Sequence, residues 1–285
     1  MSAPVVLVTG ATDGIGRATA LELARRGAVV LVHGRDAARA RAVTDEVRAA
    51  AAEPPPPFAA EPFVADLARL ADVRALADAV QARAGRLDVL VNNAGVAFRD
   101  AERRLSADGF ELTFAVNHLA HFLLTTELRT LLESSGRLGG APARVVTVAS
   151  ELHARGRIDL GDLQGERRYS GGAAYANSKL ANVLFARALA RRADPRVLVS
   201  HALHPGVIKT KLLRDGFGSR GGAGVERGAA TSVHVALSGE AARVTGAYWA
   251  DARATEPAPA ALDDALGEQL WAASAALVAP WASGG

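Results

Sequence analysis

Short apolar runs of strand type alternate with helix-period segments along almost the whole chain. Pro4 to Thr9, Ala28 to His33, Phe63 to Ala65, Asp88 to Val91, Arg144 to Ala149, Arg196 to Leu203 and Thr245 to Ala250 are the strand-like runs. Between them lie segments with apolar residues at helical offsets. One runs from the glycines at 10–16 through Arg26 and another from Ala37 to Ala52. A third carries Leu67, Leu70, Val73, Leu76 and Val80, and a long one spans Phe110 to Leu132. In Ser170 to Arg192, Leu180, Val183, Leu184 and Ala188 recur at offsets of three, four and eight. Val225 to Leu237 and Ala260 to Val278, with Trp271, complete the series. Strand alternating with helix predicts one doubly wound α/β domain over residues 1–285, around a parallel sheet of about seven strands flanked by helices.

Two stretches break the pattern. Glu53 to Pro57 holds four consecutive prolines and reads as a stiff surface connection. Ile208 to Gly224 is rich in glycine and charge and reads as a mobile substrate loop, with Leu212, Leu213 and Phe217 offered to an apolar pocket. Residues 259–285 read as a C-terminal helix followed by a frayed tail. No internal repeat is present.

Composition narrows the classes. Hydrophobic residues make up 49% of 285, enough for a sizeable core, and 33 basic against 30 acidic residues leave a net charge of only +3. With no basic run or aromatic-interleaved stripe, nucleic acid is not an expected partner. The absence of cysteine excludes disulfides and thiolate metal sites. Met-Ser-Ala-Pro leads directly into a strand, without the pattern of a signal peptide. The uncharged stretch from Gln269 is too small-residue-rich for a membrane span. The expectation is a soluble cytoplasmic protein with no membrane partner.

The candidate chemistry sits at strand ends. Gly10-Ala-Thr-Asp-Gly14-Ile-Gly16 follows a strand and opens a helix, the context of a dinucleotide cradle. After the second strand come His33-Gly34-Arg35-Asp36, with no acid at the strand end to grip a ribose 2′-hydroxyl. Arg35 offers a planar donor fork to a 2′-phosphate, which favours NADP over NAD; otherwise it is a solvated loop residue. Asp36 reads as a helix N-cap. Asp66 either meets the adenine amine or caps the next helix. Asn92-Asn93-Ala94-Gly95 allows close backbone approach. Asn117, inside an apolar helix, needs a use for its amide. His118 and His121 lack a third ligand at metal spacing and read as packed residues. Ser150 ends the fifth strand, and no acid is placed behind His153 to build a triad.

Tyr175 and Lys179 lie one turn apart on one helix face. A phenol titrates near pH 10, so only about one in a thousand is ionised at neutral pH. A neighbouring ammonium lowers that value, and a shift to about 7 is worth roughly 4 kcal/mol.

In this order, these residues resemble the short-chain dehydrogenase/reductase family over nearly the whole chain. The carriers are Thr9-Gly10-x-x-x-Gly14-x-Gly16, Asp66, Asn92 to Gly95, Asn117, Ser150, Tyr175-x-x-x-Lys179 and Pro205-Gly206. Asn117-His-Leu-Ala-His121, Ile158-Asp-Leu-x-Asp-Leu163, Ser178-Lys-Leu-Ala-Asn182 and His204-Pro-Gly-Val207 resemble its retinol-dehydrogenase-like branch. The resemblance implies a Rossmann-like fold and reversible hydride transfer between a nicotinamide and an alcohol, ketone or aldehyde. The implied catalytic set is Asn117, Ser150, Tyr175 and Lys179. Tyr175 exchanges the proton, Lys179 holds the ribose and lowers the Tyr175 pKa, Ser150 binds the substrate oxygen and Asn117 holds a relay water. Implied cofactor contacts, besides Tyr175 and Lys179, are Gly10, Thr12, Asp13, Gly14, Ile15, Gly16, Arg35, Asp66, Leu67, Asn93, Ala94, Gly95, Pro205, Gly206, Val207 and Thr210. Asp13 stands where many NADP-preferring relatives carry a basic residue. The substrate is expected to be a small, apolar alcohol or carbonyl compound, and no metal is implied. Relatives often pair through the helices of Asn117 and Tyr175, which implies a homodimer. A cofactor sensor without turnover and a sugar-nucleotide epimerase or dehydratase are the alternative readings.

Overall fold

The computed structural model describes residues 3–54, 56–59 and 61–283. Its strands are β1 (Val5–Val8), β2 (Val29–Gly34), β3 (Phe63–Val64), β4 (Val89–Asn92), β5 (Ala143–Val148), β6 (Leu198–His204), β7 (Tyr248–Ala250) and β8 (Arg253–Thr255). They form one eight-stranded sheet in the order β3-β2-β1-β4-β5-β6-β7-β8. The first seven run parallel, and β8 returns antiparallel to β7, pairing Trp249 with Ala254. The strand order reverses between β1 and β4, so a crevice opens there at the carboxyl ends of the strands.

Period-two alternation sorts the side chains. Leu7, Leu31, Leu90, Val145 and Leu198 face one layer, while Val6, Val8, Val30, Val32, Val146 and Trp249 face the other. The second layer is made by α1 (Gly14–Arg25), α2 (Ala37–Ala50) and α8 (Val225–Leu237) through Leu23, Val43, Val47 and Val233. The first is made by α3 (Leu70–Ala84), α5 (Ala120–Gly139), α6 (Gly171–Arg192) and α9 (Asp264–Val278). The remaining helices are α4 (Leu112–Phe114) and α7 (Lys211–Phe217).

The parallel sheet of seven strands is as expected, and β8 extends it antiparallel; the exposed Arg253-Ala254-Thr255 carries no apolar signal. Several expectations are corrected. The third helix starts at Leu70, where Asp108 Oδ2 accepts the Leu70 N–H at 2.8 Å. The predicted helix from Phe110 is interrupted: α4 passes into a π turn at Ala115–Leu119 before α5 begins. Ile208 to Gly224 is not a plain loop. Ile208 bridges Ala223, and α7 lies between them, capped by Thr210 accepting from Leu213 N at 3.2 Å. Of the four-proline connection, Pro55 lies outside the described residues.

The C-terminal segment is anchored as far as Ser283, while the last two residues of the expected frayed tail lie outside the described residues. Ser283 N donates to Glu127 at 2.9 Å, and Trp281 meets the Phe110 ring edge-on at 6.1 Å. Trp271 of α9 stacks on Phe185 of α6 at 5.8 Å and meets Phe122 of α5 edge-on at 4.8 Å. Arg191 pairs with Glu268 at 2.8 Å, and Arg192 joins the same carboxylate. The chain's own last helix therefore covers one face of the two helices on which the homodimer expectation rested. Among the described residues no helix is long and apolar enough to cross a membrane.

Candidate active site

The glycine turn links β1 to α1. Gly10 and Gly14 adopt φ of +63° and +51°, a region L-residues avoid. Gly16 is required for a different reason: a Cβ there would stand 2.3 Å from Gly10 O and 2.4 Å from Asn93 Nδ2. We expect Gly16→Ala to force the turn apart and weaken cofactor binding at least tenfold, read by titration of the purified variant. Wild-type affinity would show that the turn is not the cradle.

Asp13 caps α1, accepting from Gly14 N at 2.7 Å, and its other oxygen pairs with Arg39 at 3.1 Å. Arg35 is exposed on the same rim and makes no hydrogen bond or ion pair among the described residues. The buried ring of His33 accepts from Gly10 N at 3.1 Å through Nδ1 and donates from Nε2 to Ala65 O at 3.2 Å. Burial holds it neutral, with a pKa lowered to about 4. Asp66 does not cap α3, whose N-cap is Arg69; its carboxylate accepts from Ala68 N at 3.0 Å in the turn before the helix, and it lines the cleft.

The β4 end is stitched to the β1 end. Thr9 Oγ1 accepts from Asn93 N at 2.9 Å and Ala94 N at 3.0 Å, and Asn93 Nδ2 donates to Thr9 O at 2.8 Å. With its oxygen so occupied, the Thr9 hydroxyl is left to donate to His121 Nε2 at 2.9 Å. The opposite nitrogen, Nδ1, donates to the Asn117 carbonyl at 3.1 Å. Burial lowers the His121 pKa to about 3 and keeps it neutral, as these bonds require. His118 is buried too, held at 2.8 Å to Ser274 on α9. Neither histidine faces an open ligand position.

Asn117 sits in the π turn with its amide fully used. Its oxygen accepts from Val96 N at 2.8 Å, and its nitrogen donates to Val96 O and Ser178 Oγ, each at 3.0 Å. An amide in an apolar helix is tolerated because it replaces sheet-type pairing for the 92–96 segment.

Tyr175 and Lys179 project from α6 towards the β5 end. The Ser150 hydroxyl acts on the Tyr175 phenol and favours its ionised form. Ser150 Oγ also accepts from Leu152 N at 3.2 Å, capping the 3-10 turn Glu151–Arg155. The expected lowering of the Tyr175 pKa is corrected. Burial pushes the phenol up to about 12, and the bond from Ser150 offsets only part of that. The Lys179 ammonium lies 5.5 Å from the phenol ring centroid and donates to Val148 O at 2.9 Å, so its charge is aimed at a carbonyl. Burial lowers Lys179 itself to about 8.

The glycine turn, the Asn93–Gly95 segment, Ser150, Tyr175 and Lys179 open on one cleft of about 1200 Å³ whose lining includes Arg35 and Phe217. It brings together Gly10, Thr12, Asp13, Gly14, Ile15, Gly16, Arg35, Asp66, Leu67, Asn93, Ala94, Gly95, Ser150, Tyr175, Lys179, Pro205, Gly206, Val207 and Thr210. Asn117 stands just behind the wall, holding Val96. A Cβ on Gly95 would stand 3.6 Å from Lys179 Nζ, in the space before the ammonium. Leu112, Val116, Leu152, Leu212, Leu213 and Phe217 contribute apolar lining beside the charged Arg99, Arg104 and Asp215, and Phe217 meets Tyr175 edge-on at 5.2 Å. The residues fit a dinucleotide: glycine turn and helix N-terminus for the diphosphate, small residues along the floor, polar groups at the inner end. Arg39, His33, His121 and His204 were not read as site residues from sequence. Their only sequence signal is a histidine or arginine set in or beside an apolar element.

The sequence model of the family described as short chain dehydrogenase matches residues 4–218. The chain is 40% identical over 299 residues to retinol dehydrogenase 14 of Homo sapiens, covering 98% of this chain and 87% of that protein. It is 42% identical over 280 residues to polyprenol dehydrogenase of Mus musculus, covering 94% and 82%. The crystal structure of a 3-ketoacyl-(acyl-carrier-protein) reductase from Brucella melitensis, complexed with NADH, superposes with a TM-score of 0.69 and 26% identity. That match covers 87% of this chain and 96% of the other.

Proposed function

The chain belongs to the short-chain dehydrogenase family, in its retinol-dehydrogenase-like branch, and from that premise we propose an NADP(H)-preferring reductase and dehydrogenase of apolar alcohols and carbonyl compounds. The coarser activity, NAD(P)-dependent interconversion of alcohol and carbonyl, goes with the family. The observation that carries the finer reading is that Tyr175, Ser150 and the Lys179 ammonium line the same dinucleotide cleft, the ammonium 5.5 Å from the phenol ring.

When bound, the nicotinamide supplies or accepts the hydride. The protein does the rest by position. Ser150 already accepts from Leu152 N, which leaves its own O–H free to turn from Tyr175 to a substrate oxygen. Tyr175, with a pKa near 12, is fully protonated at neutral pH and stands ready as the acid that completes a carbonyl reduction. In the reverse direction it takes the alcohol proton, and stripping the resting phenol at pH 7 costs on the order of 7 kcal/mol at 1.4 per unit. Lys179 lines the cleft and spends one donor on Val148 O, so its remaining N–H groups are available to a ribose hydroxyl. Asn117 holds the backbone at Val96, so the floor stays fixed under the reacting groups.

The NADP preference rests on the far rim. No carboxylate ends β2, Asp13 is engaged by Arg39, and the Arg35 guanidinium is left for a phosphate. We expect Arg35→Ala to lower the NADPH/NADH ratio of kcat/KM roughly ten- to hundredfold, the worth of one or two charge-assisted bonds. An unchanged ratio would refute the phosphate contact. The apolar lining from Leu112, Val116, Leu212, Leu213 and Phe217 supports a lipophilic substrate, in keeping with relatives named for retinol and polyprenol. A panel of long-chain, isoprenoid and aromatic carbonyls with NADPH tests this. Turnover confined to short, polar carbonyls would overturn it.

A further inference from the structure

Two histidines lie on either side of a single peptide unit at the inner end of the cleft. The Ser150 carbonyl accepts from His153 Nδ1 at 2.7 Å. The adjoining Glu151 N–H donates to His204 Nδ1 at 3.1 Å. Each ring is locked in one tautomer by its partners. His153 Nε2 accepts from Ala258 N at 2.9 Å, so its proton is on Nδ1. His204 Nδ1 accepts, so its proton is on Nε2, 3.8 Å from the Glu151 carboxylate. His153 is buried against the Tyr248 ring at 4.8 Å. His204 is the last residue of β6, half-buried on the cleft wall directly before Pro205-Gly206.

We infer that His204 and His153 clamp the Ser150–Glu151 peptide, and that His204 is a positioning residue for the Ser150 hydroxyl. The inference rests on the reading of Ser150 as the group that binds the substrate oxygen. Ser150 has extended backbone, φ −166° and ψ 157°, at the junction of a strand and a 3-10 turn. Rotation of the peptide that follows moves the turn that delivers the Leu152 N–H to Oγ, the bond that sets the direction of the hydroxyl. Bonds to both its C=O and its N–H stop that rotation. Because His204 also begins the 204–207 segment, the clamp ties the serine turn to the wall facing the inner end of the cofactor cleft.

The arrangement is acid-sensitive. A proton on His204 Nδ1 would meet the Glu151 N–H head-on and open the clamp. Burial and His153 lower the His204 pKa, while Glu151 and Asp251 raise it, and the balance lies below the usual histidine value. The clamp is therefore closed at neutral pH and opens as pH falls.

The test uses His204→Leu, His204→Asn and, as a control on the underlying reading, Ser150→Ala. Leucine removes the acceptor, and we expect kcat to fall roughly ten- to hundredfold with NADPH Kd unchanged and substrate KM little moved. Asparagine restores an acceptor that does not titrate. It should recover most of the lost kcat and flatten the fall in kcat expected of wild type as pH drops below the ordinary histidine range. If Ser150→Ala retains turnover, the role given to Ser150 is wrong. If Ser150→Ala is inactive while both His204 variants match wild type in kcat and pH profile, the clamp is wrong. Should His204→Leu not fold, the pH profile of His204→Asn decides alone: flattened supports the clamp, unchanged overturns it.

Discussion

Tyr175→Phe should lower kcat about a thousandfold while leaving the fold and cofactor binding in place, since general acid catalysis contributes roughly 10²–10⁴. The substitution removes one oxygen and nothing else. The ring keeps its edge-on contact with Phe217, and Ser150 keeps the Leu152 N–H. The phenol is buried and its hydroxyl has only the Ser150 contact, so deleting it leaves no charged group stranded. Thermal stability should move by less than about 1 kcal/mol. The proper measurement is single-turnover reduction, with NADPH Kd determined separately. Turnover within about tenfold of wild type would move the proton donor elsewhere. Tight NADPH binding with no turnover by wild type on any carbonyl would favour a sensor instead.

The sheet was legible because its strands are apolar on both faces, and their alternation with helix-period segments leaves few topologies. The cofactor cleft was legible because a glycine turn, two strand-end asparagines and a helical Tyr–Lys pair each announce a local geometry. What sequence did not give depends on partners far along the chain. His121 meets Thr9 across 112 residues, His153 meets Ala258 across 105, and Glu151 meets His204 across 53. Nothing local separates these histidines from ordinary core residues. The π turn is hidden because Val116-Asn117-His118-Leu119 fits an unbroken apolar helix; the widening follows from Asn117 bonding sideways to Val96. Glycine and charge made α7 look like loop, although Thr210 at its start is a good cap. Spacing placed Lys179 near Tyr175, but it carries no information about where the ammonium points. Burial on one side and the Val148 carbonyl on the other decide that, and they reverse the expected direction of the phenol's shift.

Lys179→Met should abolish turnover and stabilise the protein. Lys179 is 3% exposed, its ammonium bonded to one carbonyl and to no carboxylate. Burial brings its pKa down to about 8. A folded-state value below the unfolded one means that the folded chain binds fewer protons across the interval between them. Stability must then rise with pH through that interval. The penalty is full below about pH 8 and fades as pH climbs towards the ordinary lysine value near 10.4. At 1.4 kcal/mol per unit it amounts to roughly 3 kcal/mol at pH 7. Methionine fills similar space without charge, and the Val148 carbonyl, left with only the long 3.5 Å bond from Asn182, returns about 1 kcal/mol of that gain. The net expectation is a variant about 2 kcal/mol more stable at pH 7, with the gap narrowing as pH approaches 10, read by urea denaturation across pH. A buried ammonium that costs stability persists where chemistry needs it. A variant less stable than wild type at pH 7, or a gap that does not close with pH, would mean that Lys179 is a structural cation, and the catalytic reading would lose its energetic argument.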